Sequence, residues 1–196
     1  MSNVLSIAAV TATIKDLLEN GLVSDAIVSS IGDVVVTALP PDRISVAADE
    51  RPQLNLFLYQ ISPNRNADRF LNTADKRSAD PRTGTPLALD LYYLLTAYGA
   101  KDFQAELLLG FAINLLYKIP VLTSDQIETA LNNVTKVSAA NVFSQTLSAI
   151  SAAELAQNIG EIKISSEFLN LEETSRLWSV LQTHYRPSTA YRVSMV

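Results

Sequence analysis

His184 is the only histidine in the chain, so any triad or imidazole-ligated metal site would have to include it. It follows a segment of helical periodicity that carries Leu177, Trp178 and Leu181. We expect it in the last turn of that helix, where a protonated imidazole interacts favourably with the free carbonyl groups. A lone histidine in that position predicts neither a catalytic triad nor a multi-histidine metal site.

Three carboxylates, Asp42, Asp49 and Glu50, could act as general acid and base or as ligands of a hard cation. Their spacing is not that of a calcium-binding loop, and nothing nearby completes a site. We interpret them as solvated loop residues. Tyr92, Tyr93 and Tyr98 could line a pocket, but aromatic residues on strands are more typical of packing.

Nucleotide-binding and nucleophile motifs are also absent from the sequence. Its six glycines form neither G-x-G-x-x-G nor G-x-x-x-x-G-K-[ST], and there is no G-x-S-x-G. Cysteine is absent, which excludes disulfides, zinc-thiolate sites and thiol nucleophiles and is consistent with a reducing cytoplasm. We therefore predict no catalytic, cofactor-binding or metal-ligating residue.

The composition predicts a packed globular protein with 1–196 as a single domain. The chain has 196 residues, of which 48% are hydrophobic and 18% charged, enough to bury a core without cross-links. Its formal net charge of -5 leaves no basic excess for nucleic acid or anionic lipid. Neither a secretory signal nor an apolar run of the roughly 18 to 20 residues that cross a membrane is predicted.

Helices are predicted wherever apolar residues recur at helical spacing behind a capping residue. The first runs over about 4–20, with Gly21 as a left-handed stop. A second, over 103–118, begins after Asp102 as its cap, and its predicted buried stripe consists of Leu107, Leu108, Phe111, Leu115 and Leu116. The other predicted caps are Thr123 and Ser151, each in a capping-box pattern, and Asn170.

Strands are predicted where apolar and β-branched residues alternate or run together between turn signals. The predicted strands are 33–39, which ends at Pro40, then 54–61, 86–98, 161–165 and 188–196. A helix is the rival interpretation for 86–98. The order of elements indicates an α+β fold, a mostly antiparallel mixed sheet packed with helices.

Residues 64–85 are rich in charge and poor in apolar groups, so they cannot bury themselves. We expect a projecting arm, since a loop of this length in a domain is unusual and such loops are either disordered or used for binding. Its basic residues are candidate partner-binding groups: Arg65, Arg69, Lys76, Arg77 and Arg82. Tyr191 and Arg192 are added from the terminal strand, because chain ends can be lent to a partner sheet.

Seven blocks, in order along the chain, resemble the N-terminal domain of cap or tail-terminator proteins of extracellular contractile injection systems, which are particles related to contractile phage tails. The blocks are IAAVTAT at 7–13, TALPPD at 37–42, LNLFLYQISPN at 54–64, PLALDLYYLLTAYG at 86–99, AELLLG at 105–110, PVL at 120–122 and ETSRLWSVLQTHYR at 173–186. Their order and spacing together carry the resemblance.

The resemblance implies a structural cap, a homo-hexameric ring that contacts the inner tube protein and the contractile sheath protein and ends their polymerisation at the distal end of the particle. It implies assembly in the cytoplasm, no cofactor and no enzymatic activity. Longer members carry additional C-terminal material, so an extra outward-facing domain is expected to be missing here. A baseplate adaptor or tube initiator of the same kind of particle remains an alternative, and a small cytoplasmic enzyme is a second.

Overall fold

The computed structural model describes residues 2–24, 31–44, 51–64, 88–137, 142–147 and 150–195. Its helices are α1 (Ser2–Ser24), α2 (Gln104–Lys118), α3 (Ser124–Val137), α4 (Val142–Leu147), α5 (Ala152–Ile159) and α6 (Leu171–Val180). Its strands are β1 (Val35–Thr37), β2 (Gln53–Pro63), β3 (Leu89–Tyr98), β4 (Val121–Leu122), β5 (Ile162–Glu167) and β6 (Ser188–Met195). A 3-10 turn, Pro41–Arg43, follows β1.

The six described strands form one mixed sheet in the order β1-β2-β3-β6-β5-β4. β1 runs parallel to β2, and every other neighbouring pair is antiparallel. The predicted α+β class with a mostly antiparallel mixed sheet is therefore confirmed. β4 is a two-residue strand that was not predicted from the sequence, because two residues show no alternation.

β3 lies in the interior of the sheet, between β2 and β6, which settles the choice between strand and helix for this segment. Leu91, Tyr93 and Leu95 point to the face that joins the main core, and Leu94 and Thr96 on the other face are buried as well. A strand buried on both faces reads as a nearly continuous apolar run, which also resembles a buried helix.

The main core lies between one face of the sheet and the helices, with α1 packed against α3, α5 and β1. α1 supplies Ala9, Val10, Ile14, Leu18 and Leu22 to this core. α6 contributes none of these core residues, and its buried side chain is Trp178. None of the described helices combines the length and apolar content that a membrane-spanning helix needs.

Gly21 does not end α1, which continues through it to Ser24, so the predicted left-handed stop is wrong. A glycine is needed at this position because α1 contacts α2 there. A Cβ at this position would lie 2.6 Å from Cδ2 of Leu115 and 3.2 Å from Cζ of Phe111, both on α2. The missing side chain lets α1 and α2 approach closely, and periodicity within α1 cannot show this.

We expect Gly21→Val to lower the free energy of unfolding by about 1–3 kcal/mol, because the added methyl groups overpack the contact with Leu115. Chemical denaturation monitored by circular dichroism measures the change. Gly110→Val on α2 is the matched control, since a Cβ at Gly110 meets nothing within 4 Å. Equal destabilisation of the two variants would contradict the packing role of Gly21.

The predicted caps have mixed outcomes. Asn170 caps α6 in a full capping box with Glu173, as predicted. At α3 the Gln126 half of the capping box is present, since Gln126 Oε1 accepts from the backbone N–H of Thr123 at 3.0 Å. Ser151 occupies the N-cap position of α5, but its side chain makes no capping hydrogen bond.

Asp102 is not the cap of α2, so that prediction is wrong. Phe103 takes the N-cap position in the left-handed region, with φ 67°. The side chain of Gln104 then reaches back, and its Oε1 accepts from the backbone N–H of Lys101 at 2.9 Å. The side chain of Gln104, the residue after the cap, is therefore the one that hydrogen-bonds to the turn before α2, in place of the side chain of Asp102.

Asn55 fastens the segment after β1 to β2. Its Oδ1 accepts from the backbone N–H of Leu39 at 3.0 Å and from Thr37 Oγ1 at 2.9 Å, and its Nδ2 donates to the carbonyl of Leu39 at 2.9 Å. Asn55 is fully buried. β1 ends before Pro40, as predicted. Proline cannot continue the hydrogen bonds between strands, and the side chain of Asn55 supplies hydrogen bonds to this segment instead.

Candidate interaction surfaces

The predicted arm falls mostly on residues 65–87, outside the described part of the chain, as do the five basic residues assigned to it: Arg65, Arg69, Lys76, Arg77 and Arg82. The structure does describe both attachment points. Pro63 pairs with Leu89 at the end of the β2–β3 ladder, and the backbone N–H of Asn64 donates to the carbonyl of Ala88 at 3.0 Å. The segment therefore leaves and re-enters the sheet at one place.

Tyr191 and Arg192 lie on β6, which is hydrogen-bonded to β3 on one side and to β5 on the other. Pairing of this strand with a partner's sheet would require one of these ladders to open. Tyr191 is buried and part of the main core, and burial raises its pKa. Arg192 is exposed, with its Nε 3.9 Å from a carboxylate oxygen of Glu167. Of these two candidates, only Arg192 is accessible.

The tyrosines considered for a pocket are packing groups. Tyr93 is fully buried, and its hydroxyl lies 2.8 Å from Thr11 Oγ1. The ring of Tyr98 is buried, with the guanidinium of Arg186 5.9 Å from its centroid. Tyr92 lies 6.3 Å from the ring of Tyr59, whose pKa is raised to about 12, first by burial and then by nearby carboxylates. Such a phenol stays protonated at neutral pH.

The groups first considered for catalysis are not assembled into a site among the described residues. α6 ends at Val180 with Leu181 as its C-cap, so His184 lies beyond the last turn of the helix, exposed, and its predicted position is wrong. Asp42 is exposed in the 3-10 turn, and Asp49 and Glu50 fall outside the described residues. Within the described ranges, no three His, Cys, Asp or Glu side chains are grouped for a metal ion.

A cavity of about 570 Å³ lies between α1, β2, the segment after β1, α3 and α4. Ala8, Ala12, Leu56, Leu58 and Phe143 supply apolar walls. Lys15, Asp16 and Glu19 stand at one side, where Lys15 Nζ donates to Glu19 at 2.7 Å. The walls offer no nucleophile with an adjacent base, so this arrangement does not indicate catalysis.

Asp16 is the buried carboxylate of this cavity. Its Oδ2 accepts from Asn20 Nδ2 at 2.8 Å and from Asn133 Nδ2 at 3.4 Å, which joins α1 to α3. Burial raises the pKa of this carboxyl, and the charge of Glu19 raises it further. Because the folded pKa lies above the unfolded value, the ionised form weakens the fold.

We expect Asp16→Asn to increase stability at neutral pH, since the amide oxygen can still accept both hydrogen bonds without a buried charge. The penalty is complete above the raised pKa of Asp16 and absent below the ordinary aspartate value. The advantage of the variant should therefore shrink as pH falls through that window. Urea titrations between mildly acidic and neutral pH test this, with Asp42→Asn as the exposed control. A pH-independent difference between Asp16→Asn and the wild type would contradict it.

The outward side of α2 carries exposed apolar residues, which we call the α2 face: Phe103, Leu107, Ile113 and Tyr117. Their side chains are 72%, 47%, 41% and 83% exposed. The inward side of the same helix buries Leu108, Ala112 and Leu116. Leu107 was predicted to lie in the buried stripe, and this is wrong.

A second apolar group lies in and around α6, on Phe168, Leu171, Val180 and Tyr185, all well exposed. Neither group is among the predicted partner-binding residues, because that prediction looked for charge and for chain ends. The signal in the sequence was a helix with apolar residues on both of its sides. A helix that packs against its own domain on one side does not need apolar residues on the other side.

The sequence profile of the family described as the Pvc16 N-terminal domain matches residues 9–196. No curated protein matches the chain by sequence. By fold, the chain is similar to the sheath/tube terminator of PVC, an extracellular contractile injection system, determined by cryo-EM in the extended state. The TM-score is 0.55, the identity 16%, and the match covers 96% of this chain and 55% of that one. The chain thus spans about half the length of the solved relative.

Proposed function

The chain belongs to the Pvc16 N-terminal domain family, and we propose from this that it is a tail terminator of a contractile injection system. In this role it forms a ring of six copies that ends polymerisation of the inner tube and the sheath. The observation that carries the proposal is the family match over 9–196, nearly the whole chain. The similarity of its fold to that of a sheath/tube terminator supports it.

A terminator must bind the end of a polymer on one side and offer no equivalent surface on the other. A tube subunit exposes the same contact to each new layer, so a stack of rings continues until a different ring covers it. Such a subunit needs several separate contact surfaces, for its ring neighbours, for the tube and for the sheath. The α2 face and the apolar group around α6 are two separate exposed apolar surfaces of this chain.

The proposed partners are further copies of this chain, the inner tube protein and the contractile sheath protein. The proposed place is the distal end of the particle, opposite the baseplate, after assembly in the cytoplasm. A structural role needs no catalytic centre, and the single histidine at an exposed position beyond α6 fits that role.

Within this function, the charged arm is a proposed contact with a neighbouring subunit or with the sheath. We expect Arg65, Arg69, Lys76 and Arg77 replaced together by serine to reduce capping and sheath attachment, because opposite charges on the partner lose their counterparts. The matched control replaces four exposed basic residues elsewhere by serine: Arg43, Lys136, Lys163 and Arg176. Particle counts by electron microscopy with unchanged capping for the arm variant would contradict the contact.

Electron microscopy of particles that carry a labelled copy tests the function itself. A terminator places the label opposite the baseplate, and a baseplate adaptor or tube initiator places it beside the baseplate. Deleting the protein is expected to give tubes of uncontrolled length, since nothing then stops growth. Particles of normal, uniform length without it, or distal ends that never carry the label, would overturn the proposal.

A further inference from the structure

β2 is an edge strand over most of its length, although β1 stands at the end of the strand order. β1 pairs with β2 only as far as the Thr37–Asn55 pair, whereas β2 continues to Pro63. Among the described strands, none lies beside β2 past Asn55 on the side away from β3. An unpaired strand edge presents backbone N–H and C=O groups that can pair with another chain.

The backbone carbonyls of Leu56 and Leu58 point toward this open side. The carbonyl of Pro52, directly before β2, accepts from the backbone N–H of Val35 on β1 at 3.0 Å. Backbone directions repeat at every second residue along a strand, so the carbonyls of Leu56 and Leu58 point the same way as that of Pro52. Both therefore face the side where β1 has already ended.

The later part of the same edge is protected against pairing. The register with β3 shifts between Leu58 and Gln60, and such a bulge bends the strand. Asn64 donates its backbone N–H across the ladder to the residue before β3, so Pro63 faces the open side, where it has no N–H to offer. Bulges and prolines both discourage pairing at an edge. A pairing segment therefore has access to β2 only before the bulge, at residues 56–58.

Residues 56–58 also form one wall of the cavity of about 570 Å³. α1 supplies another wall with Ala8, Thr11 and Ala12, whose small side chains leave room beside the strand edge. Phe143 of α4 adds an apolar ring. A segment that pairs with β2 at this place can bury alternate side chains in the cavity, and this combination of backbone pairing and side-chain pockets is how strand addition recognises peptides.

The charges of the cavity select a basic segment. Asp16 is 9% exposed, and its hydrogen bonds come from the neutral amides of Asn20 and Asn133. The adjacent Lys15 pairs with Glu19 instead. None of the ion pairs in the described part of the chain includes Asp16. A lysine or arginine of the incoming segment compensates this buried carboxylate.

We propose that this cavity binds an extended peptide segment of another protein chain, which pairs with the edge of β2 at residues 56–58 and places a lysine or arginine beside Asp16. The basic residue and its apolar neighbours lie on the same face of the added strand, because Asp16 and Ala12 are both on α1. The contact is small, so an isolated peptide binds with micromolar to millimolar affinity. The site goes beyond the proposed function and does not depend on it.

A labelled seven-residue peptide tests the charge pairing. Valine, lysine and valine occupy its even positions, which share one face of a strand, and threonine occupies the others. Fluorescence anisotropy with the full chain measures binding. Replacing the lysine of the peptide by glutamate should weaken binding at least about tenfold.

Asp16→Asn in the protein should weaken the lysine peptide by a similar factor. The fold is kept, because the amide oxygen can still accept from Asn20 and Asn133. Asp42→Asn, an exposed change outside the cavity, is the matched control and should bind as the wild type does. A lysine peptide that does not bind at millimolar concentration, or that binds the wild type and Asp16→Asn equally, overturns the proposal.

N-methylation of the peptide separates strand pairing from simple attraction of charges. Methyl groups on alternate backbone nitrogens remove the N–H groups that face one side of a strand. Of the two alternating patterns, one should abolish binding because it blocks the edge of β2, and the other should be tolerated. Equal effects of the two patterns overturn the pairing. Displacement of the peptide by an equal concentration of butylamine would show a pocket for small amines, which also overturns the proposal.

Discussion

Leu95→Ala is expected to lower the free energy of unfolding by about 2–5 kcal/mol. Leu95 lies on β3 in the interior of the sheet, paired with Leu56 of β2 and Thr189 of β6, and it is 0% exposed. Shortening it removes buried methyl groups and leaves a cavity that strands on both sides prevent from closing. For a chain of this size the melting temperature should fall by roughly 5–20 °C.

Differential scanning calorimetry and urea denaturation measure this effect. The matched control is Leu171→Ala, the same chemical change at the first residue of α6, where the side chain is 85% exposed. The control should change stability by no more than about 0.5 kcal/mol. Similar losses for the two variants would mean that β3 is not the centre of the packed sheet.

Asn55→Leu is expected to cost about 2–4 kcal/mol and to loosen β1 selectively. Leucine has the branched shape of asparagine, although it is larger, and it removes the bonds to both backbone groups of Leu39 and to Thr37 Oγ1. Polar groups left without partners at a buried position cost about 1–3 kcal/mol each, less where water reaches them, and Leu39 is partly exposed. The sheet from β2 to β5 has its own ladders and should remain intact.

Amide hydrogen exchange separates this local effect from global unfolding. The amides of Val35 and Leu39 should exchange faster in Asn55→Leu, while Leu94 on β3 keeps its protection. Thr37→Val is the control, because it removes one bond to Asn55 and the bond that Thr37 Oγ1 accepts from Gln53 Nε2, and leaves both bonds between Asn55 and Leu39. It should cost about 1 kcal/mol. An Asn55→Leu protein as stable as the control would show that β1 does not depend on this side chain.

Local pattern predicted most of the elements and the α+β class. β3, β5 and α6 lie where alternation, periodicity and the Asn170 cap placed them. The errors came where a residue's role depends on another element. Gly21 is a glycine because a side chain there would meet Leu115 on α2. The error at Asp102, by contrast, is a local one, because Phe103 takes the N-cap position in its place.

The candidate surfaces were less predictable than the fold. Chain ends and charge suggested β6, yet its two neighbouring ladders bury Tyr191. Leu107 is the same residue type as the buried leucines of α2. It is exposed only because α2 packs against the sheet with its other side. Apolar content shows that a helix must be covered, but it does not show which side is covered by the chain and which is left for a partner.

The sequence by itself determined the element types, the absence of the motifs of nucleotide-binding sites and catalytic triads, and the family resemblance, because each depends on residues close together in the chain. The tertiary structure alone decided the strand order, the burial of Asp16 and the exposure of the α2 face. These depend on which distant segments meet, and such contacts are set by packing of the whole core rather than by local spacing.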